Sequence, residues 1–213
     1  VIIDNFKPGT LEKYGFSSSY LKKNFPLLIQ TKISGFGETG PLKENPAYDM
    51  IVQAMGGIMS ITGKDKNETY RVGSSIGDIV AGLYAVIGVL TQIIFRNQSK
   101  KGSRLDLSML DCQVAILENA IARYSVEKKI PCPLGTDHPS ITPFGAFKTL
   151  DGTLAIAIGN NKMFKDFCYS IKNEELHKKK KYENNAKRNK NLSDLRRDIE
   201  YQMKKKKTDY WCK

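Results

Sequence analysis

The chain has 213 residues, a formal net charge of +12 and 40% hydrophobic residues, which is enough for one large domain or parts of two. Its four cysteines lie far apart, with no CxxC spacing, at positions 112, 132, 168 and 212. This pattern excludes a zinc signature and does not form a disulfide framework, so we expect a reducing compartment.

The positive charge is concentrated at the C-terminal end, where residues 172–213 hold 15 Lys and Arg against 7 Asp and Glu. Lysine runs of this kind can contact nucleic acid or an anionic membrane. The runs here lack interleaved aromatic residues and any motif that recognises bases, so they are typical of solvated helix faces. We therefore predict no nucleic-acid partner and no membrane partner.

The sequence starts with Val1 inside a strand-like apolar run and stops at Lys213 without a natural stop signal. We therefore expect a fragment that is cut at both ends. The lack of a signal peptide carries no information in such a fragment. The expected compartment is the cytoplasm, or the mitochondrial matrix if the source is eukaryotic.

The first third of the chain has the order of a βαβ unit. It predicts a strand at Val1–Phe6, a short helix from Thr10 that contains Leu11, Tyr14 and Leu21, and a second strand at Leu27–Ser34. This order predicts a parallel sheet. The Gly-rich loop at 35–41 lacks the third glycine of a dinucleotide fingerprint and the Lys-Ser pair of a Walker loop. Residues 46–49 then open another helix, which ends at Gly56-Gly57.

The central stretch, 71–95, delivers one carboxylate, Asp78, to the start of a long apolar segment. The 17 residues Ile79–Phe95 carry no charge and are apolar nearly all round a helix, which predicts a helix buried in a core. A membrane span is the disfavoured alternative, because the run is at the lower limit of spanning length and contains Thr91 and Gln92. Asp78 is either a helix cap or a carboxylate nucleophile or base, and its position alone does not decide between these roles.

The second half of the chain is interrupted at 131–135, where Pro and Gly residues mark a domain boundary. The predicted elements are a strand at 104–110, a helix at 111–124, a hairpin of 141–148 with 154–158, a helix that includes Phe164 and Phe167, and a helix at 194–203. Asp151-Gly152 is a typical hairpin turn. The two histidines, at 138 and 177, lack the spacing of a metal site or a catalytic triad.

Six short motifs in order give the chain its resemblance to a known family. They are Asp4–Gly9, Ser34–Pro41, Ala47–Asp49, Gly77–Tyr84, Lys101–Asp106 and Phe147–Gly152. Together they resemble the family III CoA-transferases (the CaiB/BaiF family), which include formyl-CoA transferase, carnitine CoA-transferase and α-methylacyl-CoA racemase. Residues 135–144 and 159–161 are similar to the succinate–hydroxymethylglutarate CoA-transferase branch, which favours a dicarboxylate or branched acyl substrate over oxalate.

The resemblance implies an α/β fold with a Rossmann-like large domain, built on a parallel sheet, and a smaller α/β domain. Residues 1–135 would form the middle part of the large CoA-binding domain. Residues 136–213 would form the linker and the first part of the small domain. Members of the family form interlocked homodimers, so we expect a homodimer of the full-length protein.

The resemblance also implies roles for individual residues. Asp78 stands at the place of the catalytic aspartate, which transfers CoA from an acyl-CoA donor to a carboxylic acid acceptor through covalent intermediates. Coenzyme A and acyl-CoA are then substrates, and neither a permanently bound cofactor nor a metal is expected. Tyr48 is the second predicted catalytic residue. Asn5, Phe6 and Lys13 are the predicted CoA-binding residues, with Lys13 in place of the usual arginine.

Two alternatives stay open. The first is an acyl-CoA racemase or epimerase of the same fold, which needs two titratable groups to move the α-proton. The similar racemases have a histidine at the place of Tyr48 and a glutamate at about that of Asn161, so both residues disfavour this alternative. The second is a truncated, non-catalytic paralogue that binds a partner through its Lys-rich end.

Overall fold

The computed structural model describes all 213 residues, which divide into two compact units, Val1–Pro133 and Leu134–Lys213. The strands of the first unit are β1 (Ile2–Asp4), β2 (Ile29–Ser34), β3 (Gly63–Asp65), β4 (Glu68–Thr69) and β5 (Ser103–Ser108). Its helices are α1 (Thr10–Lys13), α2 (Ser18–Asn24), α3 (Asp49–Met55), α4 (Ile58–Ile61), α5 (Ile76–Ser99), α6 (Met109–Ala115) and α7 (Glu118–Glu127).

The second unit is a hairpin followed by helices. Its strands are β6 (Phe144–Lys148) and β7 (Thr153–Ala157). Its helices are α8 (Asn161–Ser170), α9 (Glu175–Lys178), a 3₁₀ turn (Lys180–Tyr182), α10 (Asn185–Lys190), α11 (Leu192–Met203) and α12 (Thr208–Trp211).

The first unit is built on a parallel sheet in the strand order β1-β2-β5, which confirms the predicted α/β class. Ile33 of β2 pairs with Leu107 of β5, and both pack onto a buried cluster with Val52, Val80 and Cys112. The alternate residues of these strands, whose side chains point to the opposite face, are mostly polar. One such pair is Lys32 with Asp106. The sheet therefore presents an apolar face to α5 and a charged face on the opposite side.

Helix α5 is buried on one face only. It packs on β2, β5, α3 and α6, where Gly77, Val80, Ala81 and Ala85 are buried. On its other face six large side chains are 50–62% exposed: Ile79, Leu83, Val86, Ile87, Leu90 and Ile94. The prediction of a helix buried all round is therefore wrong for this chain, because a three-stranded sheet covers a single face. By length and composition alone α5 could cross a membrane, a property that the core helices of soluble proteins share.

Two further helix predictions are wrong in detail. The single helix expected from Thr10 is two helices, because Gly15 adopts a left-handed φ of +84° after α1 and Ser17 caps α2 through the Tyr20 N–H. The helix expected at 111–124 is also divided, into α6 and α7. The short antiparallel pair of β3 and β4 was not expected from the sequence.

The predicted hairpin around Asp151-Gly152 is confirmed, since Lys148 pairs with Thr153 in an antiparallel ladder. Behind it, α8 and α11 bury a continuous core that includes Phe147, Phe164 and Leu195. Five of the twelve lysines in residues 172–213 form ion pairs with carboxylates on the surface of this unit, as in the pairs of Lys179 with Asp198, Lys181 with Asp194 and Lys204 with Glu200.

Candidate active site

A cavity of about 920 Å³ lies at the carboxyl ends of the parallel strands of the first unit. This volume falls in the upper part of the range of ligand sites, and this edge of a parallel sheet is where such folds bind their ligands. The lining includes residues at or just after the ends of β1, β2 and β5, residues of the loop that leads into α3, and residues of α5, namely Asn5, Phe6, Lys7, Ser34, Gly35, Lys43, Asn45, Tyr48, Asp78, Gly82 and Met109. Four of the five predicted site residues of this unit therefore meet at one cavity.

Asp78 lies in the first turn of α5, whose N-cap residue is Ser75. The Ile79 N–H donates to the Ser75 carbonyl, and the Gly77 N–H donates to a side chain of α3. The Asp78 N–H has no acceptor within the chain, and its carboxylate makes no capping hydrogen bond. Of the two roles considered for Asp78, the cap is therefore not formed, and the carboxylate is free to meet a ligand.

The pKa of Asp78 is raised above its ordinary value. Partial burial is the larger cause, because it disfavours the charged form, and the negative charge of Asp49 is the second. The side chain is nevertheless exposed towards the cavity. A carboxylate in this position combines access to a ligand with a basicity above that of a free aspartate.

The segment before Asp78 is attached to helix α3 by two polar side chains. The Gly77 N–H donates to Oδ1 of Asp49 over 2.8 Å, and Nε2 of Gln53 donates to Oδ2 of the same carboxylate over 2.8 Å. Oε1 of Gln53 accepts the Val72 N–H, also over 2.8 Å. Neither Asp49 nor Gln53 was predicted as a site residue.

Tyr48 precedes α3 with an extended backbone, and its side chain is 81% exposed. The chain reaches this position because Gly35, directly after β2, lies against Ala47, so closely that a Cβ at residue 35 would overlap the Ala47 methyl group. This close approach brings the Gly-rich loop and the start of α3 to the same cavity wall. Gly35 of this loop thus serves backbone packing at the site.

Asn5 and Phe6 follow β1 directly. Lys32 of β2 fixes this strand end, because its Nζ lies 2.5 Å from both the Asp4 carboxylate and the Phe6 carbonyl. The Phe6 ring remains 53% exposed, so it is available to a ligand in the cavity.

Lys13 lies in α1 and is not among the residues that line the cavity. Its role in CoA binding stays a prediction. Two other lysines, Lys7 and Lys43, do line the cavity, and neither forms an ion pair in the chain. Lys7 could have been identified from the sequence, because it stands inside the motif Asp4–Gly9.

The family model for CoA-transferase family III matches residues 1–213, and the chain belongs to this family. It is 36% identical over 212 residues to the acetyl-CoA:oxalate CoA-transferase of Acetobacter aceti, covering 99% of this chain and 54% of that protein. It is 39% identical over 168 residues to the succinate–glutarate CoA-transferase of Agrobacterium fabrum, covering 79% of this chain and 42% of that protein. The chain thus spans about half the length of the curated relatives it matches.

The fold is that of the solved family members. A CaiB/BaiF family protein from Brucella suis superposes with a TM-score of 0.85 at 37% identity, covering 97% of this chain and 55% of that structure. This agreement confirms the resemblance that the six motifs indicated and the α/β fold class that it implied.

Proposed function

We propose that the full-length protein containing this chain transfers CoA from an acyl-CoA to a carboxylic acid, with Asp78 as the nucleophile. One observation carries the proposal: an unpaired carboxylate at a helix N-terminus opens into a ligand-sized cavity beside Tyr48, Asn5 and Phe6. Family membership and the transferase names of the relatives support the same class of reaction.

The reaction divides into exchanges at three carbonyl carbons, those of the donor, of Asp78 and of the acceptor. An Asp78 oxygen attacks the thioester carbonyl, the C–S bond breaks, and CoA leaves as the thiolate. A mixed anhydride of Asp78 and the donor acid remains. The thiolate attacks the Asp78 carbonyl carbon, which releases the donor carboxylate and leaves an aspartyl-CoA thioester. The acceptor carboxylate attacks that thioester and expels CoA. The thiolate then attacks the acceptor's carbonyl carbon, which forms the new acyl-CoA and restores the Asp78 carboxylate.

The start of α5 supports these steps electrostatically. Each attack places negative charge on a carbonyl oxygen close to the Asp78 backbone, whose N–H is unpaired. A free N–H at a helix N-terminus stabilises an anion by a hydrogen bond and by the helix dipole. We assign the Asp78 N–H as one donor to these oxyanions.

The acceptor acid is proposed to be a small dicarboxylate. Two of the relatives are named for oxalate and for succinate with glutarate. The free ammonium groups of Lys7 and Lys43 on the cavity wall supply positive charge for phosphates or for a second carboxylate. We also expect the full-length protein to be a homodimer, which sedimentation velocity tests.

The racemase alternative has less support. Tyr48 and Asn161 stand where the similar racemases have a histidine and a glutamate, and the relatives named above are transferases. Asn161 belongs to the second unit, where its Oδ1 accepts a hydrogen bond from Arg188 over 2.9 Å. An amide held in this way does not exchange a proton with a substrate α-carbon.

Intact-mass spectrometry of the full-length protein with succinyl-CoA tests the proposal. We expect a covalent acyl or CoA adduct on the parent protein and none on Asp78→Asn. Asp166→Asn, at an exposed aspartate on α8, is the matched control and should retain the adduct. Lack of an adduct across a panel of acyl-CoAs would overturn the proposal. Solvent-deuterium incorporation at the substrate α-carbon would then support the racemase, and its absence a non-catalytic relative.

A further inference from the structure

The segment that leads into the candidate nucleophile has few attachments of its own. Residues 70–75 connect β4 to α5 without regular structure, and there is open space around Gly73. The Tyr70 N–H donates to the Thr62 carbonyl. From there to the start of α5, every hydrogen bond that joins the backbone of this segment to an element other than α5 is made by one side chain. That side chain is Gln53 of α3.

Gln53 makes a set of hydrogen bonds that a solvated glutamine would not make. Its Oε1 accepts the Val72 N–H over 2.8 Å, and its Nε2 lies 3.4 Å from the carbonyl oxygens of Val72 and Ser74. The second Nε2 hydrogen goes to Asp49, over 2.8 Å. The residue is fully buried, so these bonds are made away from competing water.

The same network continues to the residue beside Asp78. Asp49, held by Gln53, accepts the Gly77 N–H over 2.8 Å. Gly77 is itself buried, and an added Cβ would lie 3.1 Å from Oδ1 of Asp49. The network therefore fixes the path of residues 72–77 along α3 and the position at which α5 begins.

We propose that Gln53 is a positioning residue for the reaction of Asp78, because its amide holds residues 72–77 in the register that directs the Asp78 carboxylate into the cavity. The inference rests on the proposed function and adds a residue that does not touch the substrate. A displacement of the reacting carboxylate by about 1 Å lowers turnover by roughly 100-fold while substrate binding elsewhere is retained.

The test compares Gln53→Leu with Leu107→Ala in the full-length protein. Gln53→Leu keeps the side-chain volume and removes every hydrogen bond, so we expect kcat to fall about 100-fold and KM for the acyl-CoA to change less than about threefold. Leu107→Ala weakens the same core without contacting 72–77, and we expect its kcat to stay within about twofold. Equal losses in the two variants would show a merely structural role and overturn the inference, as would full kcat in Gln53→Leu.

Amide hydrogen exchange adds a readout that does not depend on turnover. We expect exchange at Val72 and Gly77 to accelerate by about tenfold or more in Gln53→Leu and not in Leu107→Ala. Unchanged exchange would overturn the inference even if the wild-type protein forms its adduct, whereas a missing wild-type adduct refutes the proposed function instead. If Gln53→Leu does not fold, Gln53→Glu keeps the oxygen that faces Val72 and loses the amide donors, and we expect kcat to fall about tenfold.

Discussion

The carboxylate of Asp49 accepts the backbone N–H of Gly77 over 2.8 Å, one residue before Asp78. A second carboxylate is thereby fixed next to the candidate nucleophile, where its negative charge raises the pKa of Asp78 in addition to the effect of burial. The Asp49 side chain thus has two effects: its hydrogen bond holds the Gly77 N–H, and its charge raises the pKa of Asp78. Variants of Asp49 can separate the two.

Asp49→Asn should shift the pH dependence of adduct formation. The amide keeps an oxygen for the Gly77 N–H but loses the charge, so the pKa of Asp78 falls towards its ordinary value. Attack needs ionised Asp78, and the acidic limb of the rate profile should therefore move to lower pH. Asp49→Ala also loses the hydrogen bond, and we expect a roughly tenfold or larger drop in rate at every pH. An acidic limb that stays in place in Asp49→Asn would contradict this electrostatic role.

Asp78→Asn should abolish the adduct without destabilising the fold. Because the folded-state pKa of Asp78 is raised, the native protein binds a proton more readily than the unfolded chain does. Stability from this group is therefore lost as the pH rises from the ordinary pKa to the raised one. Urea denaturation at about pH 4 and about pH 7 should show a smaller decline in the free energy of unfolding for Asp78→Asn than for the parent. A steeper decline in the variant would contradict the sign of the shift.

The sequence predicts the sheet of the first unit well because its strands are short apolar runs with polar punctuation. β1 and β2 lie inside predicted strands, β5 overlaps the strand predicted at 104–110, and their parallel order follows from the helices between them. The covering of α5 was not predictable in the same way. Composition gives an apolar helix, but how much of it is buried depends on which other segments pack on it, and here the three strands cover one face.

The site shows a similar division. Asp78, Tyr48, Asn5 and Phe6 could be singled out because they stand in short motifs, and they line one cavity. Gln53 could not, because a glutamine in an amphipathic helix has the pattern of a solvent-facing position. Its burial and its bonds to 72–74 depend on a contact between residues about 20 positions apart, which periodicity does not encode.

Replacement of Tyr48 should affect binding and leave stability unchanged. The side chain is 81% exposed and its hydroxyl has no partner in the chain, so Tyr48→Phe and Tyr48→Ala should alter the free energy of unfolding by less than about 0.5 kcal/mol. If the ring contacts the acyl-CoA, Tyr48→Ala should raise KM roughly fivefold, from the loss of about 1 kcal/mol of aromatic contact. Steady-state kinetics of both variants separates the ring from the hydroxyl, and an unchanged KM in Tyr48→Ala would remove Tyr48 from the site.

Arg188 should be a main determinant of the stability of the second unit. Its guanidinium is fully buried, donates to the carbonyls of Thr142 and Tyr182 and to Asn161, and stacks on Phe164 with 4.6 Å between Cζ and the ring centroid. Arg188→Ala leaves these acceptors unpaired beside a cavity, and we expect a loss of about 3 kcal/mol.

The single tryptophan, Trp211, packs against the same core, so its fluorescence in the 213-residue chain reports this unfolding. Arg197→Ala is the control, because the Arg197 side chain is 74% exposed and water screens its ion pair with Asp194, so its loss should hardly change stability. Equal losses in the two variants would contradict the structural importance of the buried guanidinium.

The cavity lysines should act on the affinity for acyl-CoA. Lys7 and Lys43 line the cavity as free cations, so Lys7→Ala and Lys43→Ala should each raise KM about five- to tenfold, with kcat nearly unchanged. Added salt should narrow the difference in KM between these variants and the parent, because exposed charges are screened.

Lys13→Ala tests the residue that the family resemblance selected outside the cavity lining, and Lys22→Ala, on the exposed side of α2, is the control for a general loss of surface charge. A raised KM in Lys13→Ala alone would move the phosphate contacts away from the cavity lysines and towards α1. Equal effects in all four variants would mean that net charge, and no particular lysine, governs the binding of the substrate.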